Sequence, residues 1–147
     1  MALAPTIRPA GPSDLGPVTA LLRDAHLPWS DIAPHLGSFL VADGEDGLAG
    51  VVGLEARGPV GLLRSLAVAP AHRKRGLGRL LCQRMLAHAR GLGVRDLYLL
   101  TLDAAGFFEG VGFRREDRAA VPPAIQSTQE FSALCPVSAV VMHLALG

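Results

Sequence analysis

The sequence predicts a mixed α/β (α+β) domain: a central, mostly antiparallel sheet flanked by helices, with one parallel strand–helix–strand crossover. Three observations carry this expectation. Up to Val68, apolar stretches of strand length alternate with Gly-, Pro- and Asp-rich turns. From Gly76 to Leu92, apolar residues recur at helical spacing. Directly afterwards, Val94 to Thr101 (VRDLYLLT) is an apolar run of strand length with β-branched and aromatic members, as suits a strand buried beside a crossover helix.

In chain order, Thr6 to Pro9 reads as a short strand. Asp14 then reads as the N-cap of a helix bearing Leu15, Val18, Leu21 and Leu22, with Pro17 at its third position, where the missing N–H costs nothing. A Pro-broken region with Trp29, Asp31 and His35 suggests a second short helix. Ser38 to Ala42 and Leu48 to Glu55 form a hairpin about Asp43-Gly44-Glu45-Asp46-Gly47, and Arg57-Gly58-Pro59 turns into the strand Val60 to Val68. The long helix, Gly76 to Leu92, carries Leu77, Leu80, Leu81, Met85 and Leu92 on its apolar stripe and is closed by Gly93. After the buried strand, Asp103 caps a short helix to Val111, and Gly112-Phe113 begins an extended piece. A Pro-bearing segment, 121–136, precedes a last strand near Ser138 to Leu146.

A chain of 147 residues fits one domain, taken as 1–147. Half of the residues are hydrophobic and 14 basic face 13 acidic residues, so no long-range field favours nucleic acid or an anionic membrane, and any anion site is local. Two cysteines, Cys82 and Cys135, with no CxxC and five scattered histidines, suggest neither a disulfide framework nor a metal site. The N-terminal stretch MALAPTIRPAGP lacks the basic and apolar regions of a leader, and no apolar run reaches membrane-spanning length, so the expected location is cytoplasmic.

The chemistry concentrates in LAVAPAHRKRGLGRLL, where a strand gives way to the long helix. Arg73-Lys74-Arg75-Gly76-Leu77-Gly78 puts two glycines and three cations at a helix start, whose free N–H groups and dipole favour an anion. A solvated basic turn is the plainer alternative for this hexapeptide. Neither G-x-x-x-x-G-K-[ST] nor G-x-G-x-x-G is present, so the segment matches neither common nucleotide loop.

R-x-x-G-x-G directly after L-A-V-x-P resembles the acetyl-CoA motif of the GCN5-related N-acetyltransferases (GNAT), and the resemblance extends over nearly the whole chain. It implies the GNAT fold, acetyl-CoA as co-substrate without a metal, and a small-molecule amine acceptor, with homodimerisation left open. It also implies that the backbone of Leu66, Ala67 and Val68 pairs with the pantetheine arm, and that the loop of Arg73, Lys74, Arg75, Gly76, Leu77, Gly78 and Arg79 holds the pyrophosphate. Leu66 would supply the amide facing the acetyl carbonyl, a backbone role that tolerates any side chain. The run from Ala104 to Phe113 resembles the family's A-x-x-F-Y-x-x-x-G-F helix beside the CoA thiol, which brings in Phe107 and Phe108. Thr101 stands where many members carry a CoA-contacting asparagine, and Trp29 where the first helices wall the acceptor pocket. LLRSLAVAP, LYLLT, the doubled Phe and VPPAIQSTQEFSALCPVSA resemble the arsenic-resistance N-acetyltransferase branch, which implies an amino-acid-like acceptor such as an arsenic- or phosphorus-containing analogue of glutamate.

Two departures matter for mechanism. Phe108 replaces a tyrosine thought to protonate the leaving thiolate, and Leu62 replaces the glutamate of histone-acetylating members. A thiolate with a pKa of about 8.5 leaves without an enzymic acid, and an α-amino group near about 8 deprotonates more readily than a lysine at about 10.4, so the missing groups suit an amino-acid-like substrate. Arg64, of the same strand parity as Leu66, is a candidate clamp for the acceptor's carboxylate, its alternative being an ion pair with Glu55. Glu55 is a candidate base acting through water, or else a solvated strand end. Phe107 and Phe108 read alternatively as core aromatics and Trp29 as a core plug; Cys135 reads as an arsenic-sensing or redox thiol or else a buried small hydrophobe, and Cys82 as core. An acetyltransferase is the reading adopted; a catalytically weak CoA-binding or sensing module is the alternative, and an interaction domain on the same scaffold is third.

Overall fold

The computed structural model describes residues 5–147; residues 1–4, part of the stretch read as lacking a leader, lie outside the described residues. The elements are β1 (Thr6–Pro9), α1 (Leu15–Asp24), β2 (Leu40–Gly44), β3 (Gly47–Arg57), β4 (Val60–Val68), α2 (Leu77–Gly91), β5 (Asp96–Thr101), α3 (Ala105–Val111), β6 (Arg114–Arg115), α4 (Pro123–Gln126) and β7 (Val140–Ala145), with 3-10 turns at Pro12–Asp14 and Ala33–Ser38 and a π-helix at Glu130–Leu134. One seven-stranded sheet has the order β1-β2-β3-β4-β5-β7-β6. The pairs β1–β2, β2–β3, β5–β7 and β6–β7 are antiparallel, and β4–β5 is parallel through Val60↔Asp96, Gly61↔Leu97 and Leu62↔Tyr98. The expected mostly antiparallel sheet with one parallel pair is therefore what the chain forms.

The chain divides into two compact units. The first comprises the chain up to Gly53 together with Ser65–Met85. Its core is Val18 and Leu22 of α1, Ile32, Leu36 and Phe39 before β2, and Val41, Val51 and Ala67 of the strands. Gly53 is required by Phe39: a Cβ there would fall 2.5 Å from the ring. Asp14 stands at the N-cap position of α1 as expected, but its side chain makes no cap bond to the helix. Its backbone is already helical (φ −85°, ψ −10°), so the carboxylate turns back to accept from the Gly11 N–H at 2.7 Å and from both Nη atoms of Arg8. The guanidinium beside it holds the Asp14 carboxyl below the usual range.

The hairpin turn is shorter than the polar run suggests. Gly44 pairs with Gly47, leaving Glu45-Asp46 as the turn, and Asp43 joins the strand, where its carboxylate accepts from Arg8 Nε at 2.7 Å. On α2 the buried stripe is Leu77, Leu81, Cys82, Met85, Leu86 and Ala89, whereas Leu80 and Leu92, expected on it, are exposed.

The second unit comprises Leu54–Arg64 and Leu86–Gly147. Leu62, Tyr98, Val121, Ile125 and Val141 form its core, with Val60, Leu100 and Phe131 packed against it. β5 begins at Asp96 rather than Val94, because the N–H groups of Val94 and Arg95 are drawn to Ala89 O and Pro59 O. The cap expected from Asp103 is not made: Ala104 stands at the N-cap with no side-chain cap bond, its N–H donating back to Thr101 Oγ1 at 3.0 Å, and α3 starts at Ala105. Gly112, at φ +118°, ends α3 in the left-handed region. Segment 121–136 forms α4 and the π-helix, which the sequence reading did not anticipate.

Candidate functional site

In the first unit the end of β4 becomes a cradle of backbone amides. After Val68 the chain is pinned by Ala69 N–H to Ala49 O at 2.8 Å, turns through Pro70–His72, and is fastened by Arg73, whose Nε donates to Val68 O at 3.1 Å. Lys74 (φ +63°) and Gly76 (φ +79°) then take left-handed conformations before α2 begins at Leu77. A non-glycine residue held there stores strain of the kind that accumulates at ligand loops. The helical ladder starts only with Leu80 N–H to Gly76 O at 3.1 Å, so the N–H groups of the first turn precede it. Arg73, Lys74, Arg75, Gly76 and Arg79 are exposed and Gly78 is half-buried. Leu77 is buried, which leaves its backbone as the part able to serve an anion.

These residues fit a pyrophosphate: fixed amides at the start of a 15-residue helix, with exposed cations around them. A Cβ on Gly76 would meet open space, so glycine's contribution there is the positive φ. Upstream on β4, Leu66 and Val68 are half-buried and Ala67 is buried, and Ser65 stands at φ +61°, an interruption of regular strand backbone one residue before Leu66. The parity argument linking Arg64 to Leu66 presumes unbroken alternation, which this residue breaks. Trp29 is 42% exposed with the Arg23 guanidinium 5.0 Å over its ring, which contradicts a core plug.

The second unit holds a buried charged cluster. Arg64 Nη1 donates to Glu55 Oε2 at 2.8 Å; Arg57 Nη2 reaches Glu55 Oε1 at 3.4 Å; Arg64 Nε lies 4.0 Å from Glu130 Oε1 on the π-helix. Glu55 is buried rather than a solvated strand end, and Arg64 has the ion pair that was its alternative reading. Leu62, at the position of the histone enzymes' glutamate, lies in the apolar core, where a carboxylate would lack water. Phe108 is buried, edge-on to Phe113 at 5.9 Å and to Phe107 at 5.1 Å, while Phe107 is 40% exposed. Thr101 is buried and its hydroxyl serves Ala104.

Glu130 and Arg57 are site neighbours that the sequence reading missed. Glu130 gives little signal in QSTQEFSALC, because a glutamate among polar residues reads as solvated; only the flanking Phe131 and Leu134 hint at a buried turn. Cys135 is half-buried, with its N–H donating to Glu130 O at 2.9 Å, and Cys82 is fully buried. Among the described residues, no three His, Cys, Asp or Glu side chains are grouped to hold a metal, and no helix is long and apolar enough to cross a membrane.

A family model described as an acetyltransferase (GNAT) domain matches residues 35–115. A relative described as an uncharacterized N-acetyltransferase of Chlorobaculum tepidum is 34% identical over 97 residues, 65% of this chain and 61% of that protein, so the chain spans about three-fifths of its length. N-acetylglutamate synthase from Neisseria gonorrhoeae, solved with coenzyme A and N-acetyl-glutamate, superimposes with a TM-score of 0.84 at 20% identity, over 100% of this chain and 36% of that one. A Mycobacterium tuberculosis protein solved with CoA and NLQ gives 0.80 at 23% identity, over 96% and 99% of the two chains. A GNAT-family acetyltransferase of Staphylococcus aureus gives 0.81 at 17% identity, over 98% and 100%. At these identities the structural likenesses speak for the fold.

Proposed function

The chain belongs to the acetyltransferase (GNAT) domain family, and from that premise we propose that it is an acetyl-CoA-dependent N-acetyltransferase, one domain over 1–147, acting in the cytoplasm on the amine of a small amino-acid-like substrate. Direct attack in a ternary complex is the proposed route, and resistance to arsenic- or phosphorus-containing amino-acid analogues the proposed role, on the strength of the resemblance of LLRSLAVAP and the C-terminal segment. The observation that carries the activity is the loop of Arg73 to Arg79, with Lys74 and Gly76 left-handed ahead of α2. Two of the fold's solved likenesses, the synthase bound to N-acetyl-glutamate and the mycobacterial protein, carry CoA together with a small ligand, which supports a small-molecule acceptor.

Acetyl-CoA, when bound, supplies a thioester carbonyl for the amine to attack and a thiolate to leave. The chain's own part is to hold and to orient. The amides of Lys74 to Arg79 bind the pyrophosphate and the exposed cations balance its charge. The strand backbone of Leu66, Ala67 and Val68 would hold the pantetheine, and the Leu66 N–H would supply a donor for the acetyl oxygen, where charge develops during attack. For the acceptor, Arg64 remains the assigned carboxylate partner, though its side chain is 0% exposed within its ion-pair network and would have to be uncovered to meet one; in the first unit, Trp29 offers an open aromatic face. Glu55, already facing two guanidinium groups, is better assigned to holding Arg64 than to removing the amine's proton. With Phe108 lacking a hydroxyl, water takes the amine's proton and protonates the thiolate. In the second unit, the resemblance assigns Phe107 and Thr101 to the cofactor, the first with an exposed ring and the second bonded to Ala104 ahead of α3.

The test is thiol release from acetyl-CoA across amino acids, their phosphinic and arsonic analogues, polyamines and peptides. Turnover confined to amino-acid-like amines supports the reading. Turnover of peptides or polyamines alone overturns the acceptor class, and tight acetyl-CoA binding with no turnover favours the sensing alternative.

A further inference from the structure

We propose that Glu130 is a positioning residue for the acceptor, acting through Arg64; this rests on the acetyl-transfer reading above. The inference starts from how the segment after Val121 is built. Thr128, 1% exposed, donates to Ile125 O at 2.7 Å and accepts from the Phe131 N–H at 3.3 Å, while Thr128 O takes both the N–H and the Oγ–H of Ser132. The π-helix Glu130–Leu134 follows, closed by Cys135 N–H to Glu130 O at 2.9 Å. This backbone is fastened on both sides. Ile125 and Phe131 pack against Leu62 and Tyr98, and Arg118 lies 4.7 Å over the Phe131 ring while donating to Val137 O and Ala139 O.

A segment so secured has an apolar anchor already and needs no carboxylate to stay in place. It nonetheless turns Glu130 inward, 4% exposed, to lie 4.0 Å from Arg64 Nε. Burying a carboxylate is costly, and an apolar residue of similar size would seal the same surface at lower cost. π-Helices are rare and gather at functional sites, where the extra residue re-aims a side chain. What Glu130 does from this position is to bring a second carboxylate to Arg64. Glu55 of β3 holds Nη1, and Glu130 of the π-helix faces Nε. Carboxylates from two elements far apart in sequence thus lie against the guanidinium, on a residue immediately before the left-handed Ser65. Glu130 thus makes the orientation of Arg64, and with it the acceptor preference, depend on the C-terminal segment.

The experiment uses the full chain with Glu130→Gln, which keeps shape and loses charge, and Glu130→Asp, which keeps charge and shortens the reach. Acceptor kinetics are followed by thiol release and acetyl-CoA affinity by calorimetry. Glu130→Gln is expected to lower acceptor kcat/KM about tenfold or more, chiefly through KM, with Glu130→Asp intermediate. Acetyl-CoA affinity should hold within about twofold, and in an Arg64→Lys background the Glu130→Gln effect should shrink to about twofold or less, since residues acting as a unit are not additive. Wild-type acceptor kinetics in Glu130→Gln overturns the proposal. So does a loss of equal size in the Arg64→Lys background, or one shared in proportion by acetyl-CoA affinity. If the wild-type chain turns over no amine, the transferase reading fails by itself; the Arg64 Nε–H resonance, expected to shift in Glu130→Gln, then tests the positioning alone, and an unmoved resonance refutes it.

Discussion

Arg64 Nη1 donates to Glu55 Oε2 across 2.8 Å, and the two side chains are 0% and 2% exposed. A charge pair so covered is held by geometry, since each partner has given up its water for the other. Removing the Glu55 charge breaks into a buried network that also holds Arg57 and Glu130, so Glu55→Gln is expected to cost about 1–3 kcal/mol of unfolding free energy. The Glu55→Leu/Arg64→Met double variant should lose less than the sum of its single variants, because the residues are in contact. Urea unfolding measures both. A loss below about 1 kcal/mol for Glu55→Gln would mean the pair behaves as a surface bridge.

Gly76, at φ +79°, sits in open space ahead of α2. A side chain there meets no neighbour, yet β-branching is poorly tolerated at that backbone angle, so Gly76→Val should relax the loop out of its left-handed turn and disperse the amides. Acetyl-CoA affinity is expected to fall by at least about tenfold, with the midpoint of thermal unfolding lowered by a few degrees at most, since the strain of about 1–2 kcal/mol lies in an exposed loop. Calorimetric titration decides it, and unchanged affinity would remove the loop from the cofactor site.

The loop proposed to hold the cofactor was legible as a turn into a helix because its signals are local: a proline-ended strand, cations and glycines within a few residues, and a 3.6-residue period behind them. The strand β4 was read to its exact ends for the same reason, apolar runs between turns. Where tertiary pairing decides, sequence reading stopped short. Asp43 looked like a turn residue until Arg8 drew it into β2, and Asp14, at the N-cap position as read, gives its carboxylate to the same arginine and to Gly11 rather than to the helix. Glu130 becomes significant only beside Arg64, 66 residues earlier in the chain by their numbering.

Cys82 lies in the apolar stripe of α2, and burial pushes its thiol up to about 12. The folded state therefore keeps the proton between the ordinary thiol range, about 8.5, and about 12, while the unfolded chain releases it. Stability from this group is full below the ordinary range and is lost as pH rises through that window, by up to about 1.4 kcal/mol per unit. Cys82→Ala should flatten that part of the alkaline stability profile. In the native protein at pH near 8, a thiol reagent should modify Cys135, which is half-buried, well before Cys82. Equal labelling of both thiols would show that α2 opens readily.

Phe108 tests whether a hydroxyl can be restored where the family places one. The ring is 8% exposed and lies edge-on to both Phe107 and Phe113, so it is held by packing on two sides. Phe108→Tyr adds a single polar atom and hardly changes the ring's fit. If that oxygen meets the cofactor side, the variant should keep acetyl-CoA affinity within about threefold and raise kcat wherever departure of the thiolate limits turnover, general acids contributing up to about 100-fold or more when well placed. A hydroxyl pressed into apolar surroundings would instead cost about 1–3 kcal/mol of stability with no gain in kcat. Denaturation and single-turnover thiol release on the same preparation separate the two outcomes. The expected result is unchanged or faster turnover with a stability loss below about 1 kcal/mol. A larger loss, together with weakened acetyl-CoA binding, would show that Phe108 is sealed among Phe107 and Phe113 and that the departing thiolate never meets this position.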